Sequence, residues 1–349
     1  MNRSGRAPLV VHIGYGPLAT VIDPERVTAI AGAADVRVAP YDLSHGEHTR
    51  RSREPHAPDL AAGEIDLSDA LRDALAAAEV MVTMNAPLDL PALAPRLRWI
   101  QAIGSGVGQF VPSRLPEGGI TLTNAAGVGA APIAEWVLAR ILQVYKRLDD
   151  HAALQRAHSW QESFGALLEG RTAAVVGLGA IGAAVAIRLR AFGVHVIGVR
   201  RTPGPTPPEV DELVTPEQLH RVLRRAHVVV VAAPGTAANE NMFDKAAFAA
   251  MRPGAMFVNV ARGSLVDENA LMVALRTGQL RAAAIDVARD EPLPADSPLW
   301  DTPHLAISPH SSTSPDRYFE RVAELFYGNL ARYVAGAALH NVVDLSHGY

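Results

Sequence analysis

Cysteine is absent from the 349 residues of the sequence. Its absence excludes disulfide bonds, thiolate catalysis and cysteine-bound metals, and we assign no metal site. Long apolar runs are also absent: none approaches the roughly 20 residues of a membrane-spanning helix, and the first stretch, MNRSGRAPLVVHIGYG, has no signal-peptide core. We therefore expect a cytoplasmic chain that does not bind membranes.

The sequence also lacks an excess of basic charge. The net charge is -4, whereas nucleic-acid binding requires a basic surface, so we expect no nucleic-acid partner. A local basic cluster, Arg50, Arg51 and Arg53 in SHGEHTRRSREPHAP, is interpreted as a solvated loop. A composition of 49% apolar and 19% charged residues is typical of a globular protein. The length predicts two domains.

The order of the apolar runs predicts that both domains are α/β. From residue 9 to about residue 123, β-like runs such as LVVHIG and VMVTM alternate with helical stretches rich in alanine and leucine. The alternation restarts at Arg171 with TAAVVG, VHVIGV, HVVVVAA and AMFVNVA. Residues 131–155 predict one long helix between the domains, and residues 315–334 predict a last helix able to pack on the first domain. Each domain is expected to be Rossmann-like or flavodoxin-like, with a parallel sheet.

A glycine-rich loop opens the second domain. VVGLGAIG has the G-x-G-x-x-G spacing directly after a β-like run and at the start of a helix. The first glycine permits the tight turn, the second lets the backbone approach a pyrophosphate, and the third lets helix and strand pack closely. The loop therefore predicts dinucleotide binding by Gly177, Gly179, Ala180, Ile181 and Gly182.

The charge at the end of the next strand indicates which dinucleotide fits. In NAD-binding folds of this kind an acid at that position binds the ribose 2′-hydroxyl. Here the strand VHVIGV ends in Arg200 and Arg201, followed by Thr202, and no acid is present. A guanidinium binds a 2′-phosphate by paired hydrogen bonds, whereas a carboxylate repels it. We expect these three residues to favour NADP(H) over NAD(H); the alternative is that both arginines are surface residues and NAD is used.

Three motifs at the ends of the later strands contain the residue types that reduce a 2-keto acid. NVARG contains Arg262, IDVARDEP contains Asp286 and Glu291, and ISPHSS contains His310. Ligands of open α/β sheets bind at these strand ends. The set contains a cation for the carboxylate and carbonyl oxygen, a proton donor, and a carboxylate that keeps the donor protonated.

Several of these motifs together resemble one family. GLGAIG, NVARGSLVDENAL, AAAIDVARDEPLPADSPLW and ISPHSS are similar to the signatures of the D-isomer-specific 2-hydroxyacid dehydrogenases, in the same order. The resemblance implies a discontinuous substrate-binding domain, residues 1–127 and 305–349, into which a dinucleotide-binding domain, residues 128–304, is inserted. It also implies a homodimer.

The resemblance further implies individual roles. His310 would be the acid/base, Glu291 its partner, and Arg262 the substrate anchor. The nicotinamide end would be lined by Pro234, Thr236, Val260, Ala261 and Asp286. The substrate would contact Asn85 and the backbone amides of Gly104, Ser105, Gly106 and Val107. One position departs from the family pattern: Gly108 stands where many relatives have an acid, which leaves the bracing of that loop unexplained.

We expect an NAD(P)-dependent enzyme that reduces a small 2-keto acid, such as glyoxylate or hydroxypyruvate, to the D-2-hydroxy acid, with NADPH favoured. One alternative is an NAD-dependent dehydrogenase of a D-2-hydroxy acid of the phosphoglycerate type, although a phosphate would need more basic residues near 104–110. A second alternative is a nucleotide-sensing corepressor-like protein. The presence of all three catalytic residue types argues against it.

Overall fold

The computed structural model describes residues 7–345, except residues 55 and 58 and the side chains of His45, Arg53, Ala62 and Ala237. The strands are β1 Leu9–Ile13, β2 Ala34–Val38, β3 Val80–Thr83, β4 Trp99–Ala102, β5 Thr121–Thr123, β6 Thr172–Val176, β7 His195–Val199, β8 Glu212–Val214, β9 Val228–Val231, β10 Ala255–Asn259, β11 Leu280–Ile285 and β12 Leu305–Ile307. The α-helices are α1 Pro24–Ala31, α2 His45–Arg53, α3 Asp69–Ala77, α4 Leu90–Leu93, α5 Ala130–Tyr145, α6 Leu148–Arg156, α7 Ala180–Ala191, α8 Leu219–Leu223, α9 Lys245–Ala250, α10 Glu268–Arg276 and α11 Tyr318–Ala335. Short 3-10 helices span Gly16–Thr20, Leu60–Gly63, Gly108–Ser113, Leu115–Gly118, Pro216–Gln218, Ala237–Asn239 and Gly263–Leu265.

The chain divides into two compact units, and the predicted α/β class with two parallel sheets is confirmed. Unit 1 is Met1–Val128 with Pro315–Tyr349, and unit 2 is Gly129–Ser314. The second boundary therefore lies after Ser314, not after residue 304 as expected, because β12 pairs in parallel with β11 of unit 2. The expectations for residues 1–6 and 346–349, and for the Arg53 side chain, lie outside the described part of the chain.

Unit 1 is a five-stranded parallel sheet in the order β2-β1-β3-β4-β5. The last helix, α11, packs on it, as the sequence suggested. Trp99 of β4 stacks on Phe326 and Tyr333 of α11 with ring centroids 5.6 and 5.5 Å apart, and its indole N–H donates to Thr123. Buried aromatic pairs of this kind add to the burial of apolar area. These contacts fix the C-terminal helix to the core of the N-terminal sheet.

Unit 2 is a seven-stranded parallel sheet in the order β12-β11-β10-β9-β6-β7-β8. The strand order reverses between β6 and β9, and in such sheets ligands bind beyond the carboxyl ends of the strands at this reversal. Apolar clusters cover both faces of the sheet, as buried parallel strands require. Among the described residues no helix is both long and apolar enough to cross a membrane.

The single helix expected over 131–155 is two helices, α5 and α6. The break lies at Arg147, whose φ is +54°. The chain that follows α6 returns to the end of α5, where the Ala166 N–H donates to the Tyr145 carbonyl oxygen at 2.7 Å and the Lys146 ammonium donates to the Ala166 carbonyl oxygen. The distant segment therefore binds the carbonyl group of the last residue of α5 and stabilises the end of the helix, which the local sequence does not reveal.

Candidate functional site

The glycine loop lies at the strand reversal of unit 2, between β6 and α7. Gly177 has φ +96°, and a Cβ there would lie 2.5 Å from the Ala233 backbone; a Cβ on Gly182 would lie 1.9 Å from the Gly177 carbonyl oxygen. Gly179 faces open space and begins α7 without a side-chain cap. Ala180 is exposed and Ile181 is half-buried against the core. The uncapped N–H groups of α7 and the open approach at Gly179 suit a pyrophosphate.

The two arginines follow β7, next to this loop on the same sheet. Arg200 is half-buried, its Nε donates to the Thr202 carbonyl oxygen at 2.9 Å, and its guanidinium lies over Gly204. Arg201 and Thr202 are exposed. Neither Nη group of Arg200 has a hydrogen-bond partner among the described residues, so both are available for the paired contact that an anion such as a phosphate makes with a guanidinium.

The segments after β9 and β10 lie side by side. Asn239 stabilises the segment after β9, because its Nδ2 donates to the Pro234 carbonyl oxygen and its Oδ1 accepts from the Thr236 N–H. A Cβ on Gly235 would lie 3.0 Å from the Arg262 side chain. The predicted residues Pro234, Thr236 and Arg262 are therefore brought together.

A buried asparagine shapes the segment that carries Arg262. The Asn259 side chain accepts from the Ala261 N–H and donates to the Arg262 carbonyl oxygen, both at 3.0 Å. Val260 and Ala261 are buried. Desolvation by the surrounding protein lowers the pKa of Arg262, and the Glu291 carboxylate acts in the opposite direction. Arginine remains charged at neutral pH in either case.

A close backbone approach joins this segment to the one that carries Glu291. A Cβ on Gly263 would lie 2.0 Å from the Ala288 carbonyl carbon, so only glycine fits. The Ala288 N–H in turn donates to Glu291 Oε1 at 2.9 Å. Gly263 thus allows the arginine and the glutamate to stand on adjacent loops.

His310 and Glu291 form the expected pair. His310 Nδ1 lies 3.0 Å from Glu291 Oε2, and the histidine side chain is about half exposed. A carboxylate bound to Nδ1 holds the proton on that nitrogen, orients the ring and leaves Nε2 for a substrate. The backbone of His310 has φ +50°, a left-handed conformation that is uncommon for residues other than glycine and occurs where the surroundings impose it.

Asp286 imposes that conformation. Its buried carboxylate accepts from the hydroxyls of Ser308 and Ser312 and from the N–H groups of Ser311 and Ser312, and its carbonyl oxygen accepts from the His310 N–H at 2.8 Å. The structure therefore shows Asp286 bracing the His310 loop. Its expected contact with the nicotinamide stays a prediction.

Unit 1 presents a row of backbone amides after β4. The carbonyl oxygens of Gly104 and Ser105 accept from the Ala125 N–H and the Asn124 side chain, each at 2.9 Å. The N–H groups of Gly104, Ser105, Gly106 and Val107 donate to no acceptor among the described residues. Successive unpaired N–H groups form an anion-binding concavity, which supports the expected binding of a carboxylate.

Asn85 lies beside this loop and is 4% exposed. Its Oδ1 is 2.7 Å from His48 Nδ1. The buried Gln109 side chain connects the two segments, because its Nε2 donates to the carbonyl oxygens of Met84 and Gly106 at 3.1 and 3.5 Å. Gln109 therefore braces the loop in which the family's acid is missing.

The interpretation of the basic cluster as a solvated loop is wrong. The segment forms α2, and Arg51 is fully buried. Its guanidinium donates to Glu47, Tyr41, Glu64 and the Ala86 carbonyl oxygen at 3.1 to 3.3 Å. A buried arginine is tolerated when its donors are satisfied in this way.

The structure explains why glycine stands at position 108. A Cβ at this position would lie 2.6 Å from the Ser52 carbonyl oxygen of α2. Any larger residue, including the acid common in the family, would push α2 away from the 3-10 helix Gly108–Ser113. The observed position of α2 therefore requires glycine at position 108.

Sequence reasoning missed His48, Gln109 and Asn259. A signal for α2 was present: Ser44 and Glu47 have the spacing of a helix-capping pair, and the Ser44 hydroxyl accepts from the Glu47 N–H at 3.2 Å. Asn259 lay inside NVARG without an assigned role. For Gln109 no local signal existed, because its partners come from other segments.

Comparison with known proteins adds a family match. Residues 138–312 match the model described as D-isomer specific 2-hydroxyacid dehydrogenase, NAD binding domain. The chain is 34% identical over 260 residues to a D-3-phosphoglycerate dehydrogenase of Mycobacterium leprae, covering 74% of this chain and 49% of that protein. The chain thus spans about half the length of that relative.

Two further relatives match over most of their length. The chain is 30% identical over 281 residues to glyoxylate/hydroxypyruvate reductase A of Serratia proteamaculans, covering 78% of this chain and 88% of the relative. A solved D-isomer specific 2-hydroxyacid dehydrogenase of Xanthobacter autotrophicus, in complex with NADPH and MES, is 27% identical with a TM-score of 0.76, covering 99% of this chain and 100% of that one.

Proposed function

The chain belongs to the D-isomer-specific 2-hydroxyacid dehydrogenases, a family of NAD(P)-dependent oxidoreductases, and we propose that it reduces a small 2-keto acid to the D-2-hydroxy acid with NADPH. The expectation of an enzyme of this class is confirmed at the level of the family. The observation that carries the proposal is the pair of His310 and Glu291 in the unit that holds the glycine loop. Glyoxylate and hydroxypyruvate are the substrates we infer.

The described residues suit the proposed reaction. When bound, the nicotinamide cofactor supplies a hydride to the carbonyl carbon. His310 Nε2 gives a proton to the carbonyl oxygen, and Glu291 stabilises the imidazolium that precedes this transfer. Arg262 stabilises the negative charge that develops on the oxygen. The amides of residues 104–107 bind the substrate carboxylate.

The preference for NADPH rests on Arg200 and Arg201. They follow β7, at the position where an acid would accept a hydrogen bond from the ribose 2′-hydroxyl of NAD. The Xanthobacter relative was solved with NADPH, which agrees with the proposal.

The phosphoglycerate alternative has the support of the mycobacterial relative. The charges near the amide loop argue against it. Arg51 is buried and satisfied, and Arg114 is paired with Glu117 and Asp89. A substrate phosphate would have to compete with these carboxylates for its cation.

The test is the initial rate of reduction of glyoxylate, hydroxypyruvate and 3-phosphohydroxypyruvate, each with NADPH and with NADH. We expect turnover of the first two substrates, with NADPH preferred, and a D-configured product. A preference for the phosphorylated substrate would favour the alternative, and no turnover of any substrate would contradict the proposal.

A homodimer and a cytoplasmic location are further parts of the proposal. The segment after α6 exposes Trp160, Phe164 and Leu167, with Trp160 fully accessible. Exposed large apolar side chains on one segment mark an interaction surface. A second copy of the chain, meeting it through unit 2, would cover them.

Light scattering after gel filtration tests the dimer. We expect twice the 37.1 kDa of one chain, and a monomer for the double variant Trp160→Ser, Phe164→Ser. Trp300→Ser, which changes an exposed tryptophan elsewhere in unit 2, is the control and should remain dimeric. A monomeric wild type would refute this part of the proposal.

A further inference from the structure

The pair formed by His48 and Asn85 has two hydrogen-bonding groups left over. His48 Nδ1 and Asn85 Oδ1 bind each other at 2.7 Å. Neither His48 Nε2 nor Asn85 Nδ2 has a partner among the described residues, although Asn85 is 4% exposed and His48 is half-buried. Neither nitrogen is a buried atom without a partner, so both are accessible to solvent, and a ligand group can replace the water that satisfies them in the free protein.

The leftover groups are one donor and one acceptor. If Asn85 Oδ1 accepts from Nδ1, the neutral ring leaves Nε2 as an acceptor and the amide leaves Nδ2 as a donor. If the asparagine amide is turned over, its nitrogen donates to Nδ1, so Nε2 becomes the donor and the amide oxygen the acceptor. In both arrangements the pair offers one donor and one acceptor, and a single hydroxyl on a ligand, which both donates and accepts, satisfies them together.

The pair is held rigidly next to the amide loop. The Ser52 hydroxyl lies within hydrogen-bond distance of both the His48 carbonyl oxygen, at 3.0 Å, and Gln109 Oε1, at 3.4 Å. Gln109 reaches Met84, the neighbour of Asn85, and Gly106 in the loop. Arg51 fixes the same turn of α2 from its buried side. A substrate bound by its carboxylate at the loop would therefore extend its side chain near the pair.

We propose that His48 and Asn85 select 2-keto acids that carry a hydroxyl on the carbon next to the keto group. The hydroxyl donates to the acceptor of the pair and accepts from its donor. A substrate without that hydroxyl, such as pyruvate, leaves both partners unsatisfied, which is how a polar site rejects an analogue that lacks the hydroxyl. This inference rests on the proposed function, since it assigns the selectivity of the same reductase site.

The test compares hydroxypyruvate, pyruvate and glyoxylate, whose substituents on the keto carbon are a hydroxymethyl group, a methyl group and hydrogen. We expect the wild type to prefer hydroxypyruvate over pyruvate. His48→Leu should lower kcat/KM for hydroxypyruvate by about 10- to 100-fold, the cost of leaving one such group unpaired, and should change pyruvate and glyoxylate far less. His48→Gln, which keeps a hydrogen-bonding end, should retain part of the preference.

Thr49→Ala, on the same helix, is the matched control and should behave as the wild type. An equal loss for all three substrates in His48→Leu would overturn the inference, because it would show that His48 supports the fold of unit 1. A wild type that reduces all three without preferring hydroxypyruvate would overturn the inference and leave the proposed function intact. A wild type that reduces none of them would overturn the proposed function and the inference with it.

Discussion

At the scale of single residues, the site depends on His310 being held in an unfavourable backbone conformation. A left-handed conformation costs on the order of 1 kcal/mol or more for a residue other than glycine. The Asp286 carboxylate, with its four donors, offsets that cost, and Glu291 orients the ring. We conclude that the imidazole is positioned before any substrate arrives.

His310→Asn should lower kcat by about 10²- to 10⁴-fold, because general acid catalysis contributes that much, and should leave the cofactor dissociation constant unchanged. Asparagine tolerates the left-handed backbone. His304→Asn is the matched control, since His304 is exposed and has φ +61°; it should change neither quantity. Steady-state rates and fluorescence titration with the cofactor measure both. An unchanged kcat would remove His310 from the chemistry.

At the scale of elements, α2 is the part of unit 1 that carries the residue to which we assign substrate selectivity. It carries His48 and Ser52, which contact Asn85 and Gln109, and the buried Arg51, which donates to the Ala86 carbonyl oxygen. It packs against the helix Gly108–Ser113 because Gly108 has no side chain. The residue at position 108 therefore determines where α2 lies.

Gly108→Asp, which introduces the acid common in the family, should lower the free energy of unfolding by about 1 to 3 kcal/mol, the usual cost of overpacking. Gly46→Ala is the control: it lies in α2 with nothing within 4 Å of the added Cβ, and we expect a gain of about 0.5 to 1 kcal/mol. Urea unfolding measures both. Equal stability of Gly108→Asp and the wild type would show that α2 does not pack at this glycine.

At the scale of the whole molecule, each unit has its own buried core, and that of unit 1 contains a histidine. His12 of β1 is fully buried; its Nε2 is 2.7 Å from the Ala39 carbonyl oxygen, and its Nδ1 has no partner among the described residues. Burial lowers the pKa of His12, and the bond to Ala39 opposes this shift. The folded protein therefore keeps this ring neutral at pH values where the unfolded chain protonates it.

The free energy of unfolding should fall as the pH drops below the unfolded pKa of about 6.5, because the unfolded chain then binds a proton that the folded chain does not. The contribution is fully present above that pH, and its loss has a slope of at most about 1.4 kcal/mol per pH unit for one group. Urea unfolding between pH 7.5 and 5 should show a steeper decline for the wild type than for His12→Met. The pKa of His227 is also lowered, by burial and by Arg252 and Arg171. Its effect on the free energy of unfolding is the same in the wild type and in His12→Met, so it does not change the comparison. Parallel declines would contradict the assignment to His12.

The sequence predicted the elements that depend on local pattern. The glycine loop, the alternation of strands and helices, and the residues at the strand ends stand where the motifs indicated, because periodicity and turn chemistry act over a few neighbours. The break at Arg147, the pairing of β12 and the burial of Arg51 were not predicted. Each depends on a partner distant in sequence, namely Ala166, β11 and Glu64 with Ala86.

The cofactor preference is the central claim, and the most direct measurement is the ratio of kcat/KM for NADPH to kcat/KM for NADH. We expect a clear preference for NADPH in the wild type and a fall of this ratio by about 10- to 100-fold in the double variant Arg200→Ser, Arg201→Ser, because charge-assisted hydrogen bonds to the 2′-phosphate are lost. Arg224→Ser, an exposed arginine elsewhere in unit 2, should leave the ratio unchanged. A wild type that uses NADH equally well, with no change in the double variant, would show that the two arginines are surface charges and that the account of the cofactor is wrong.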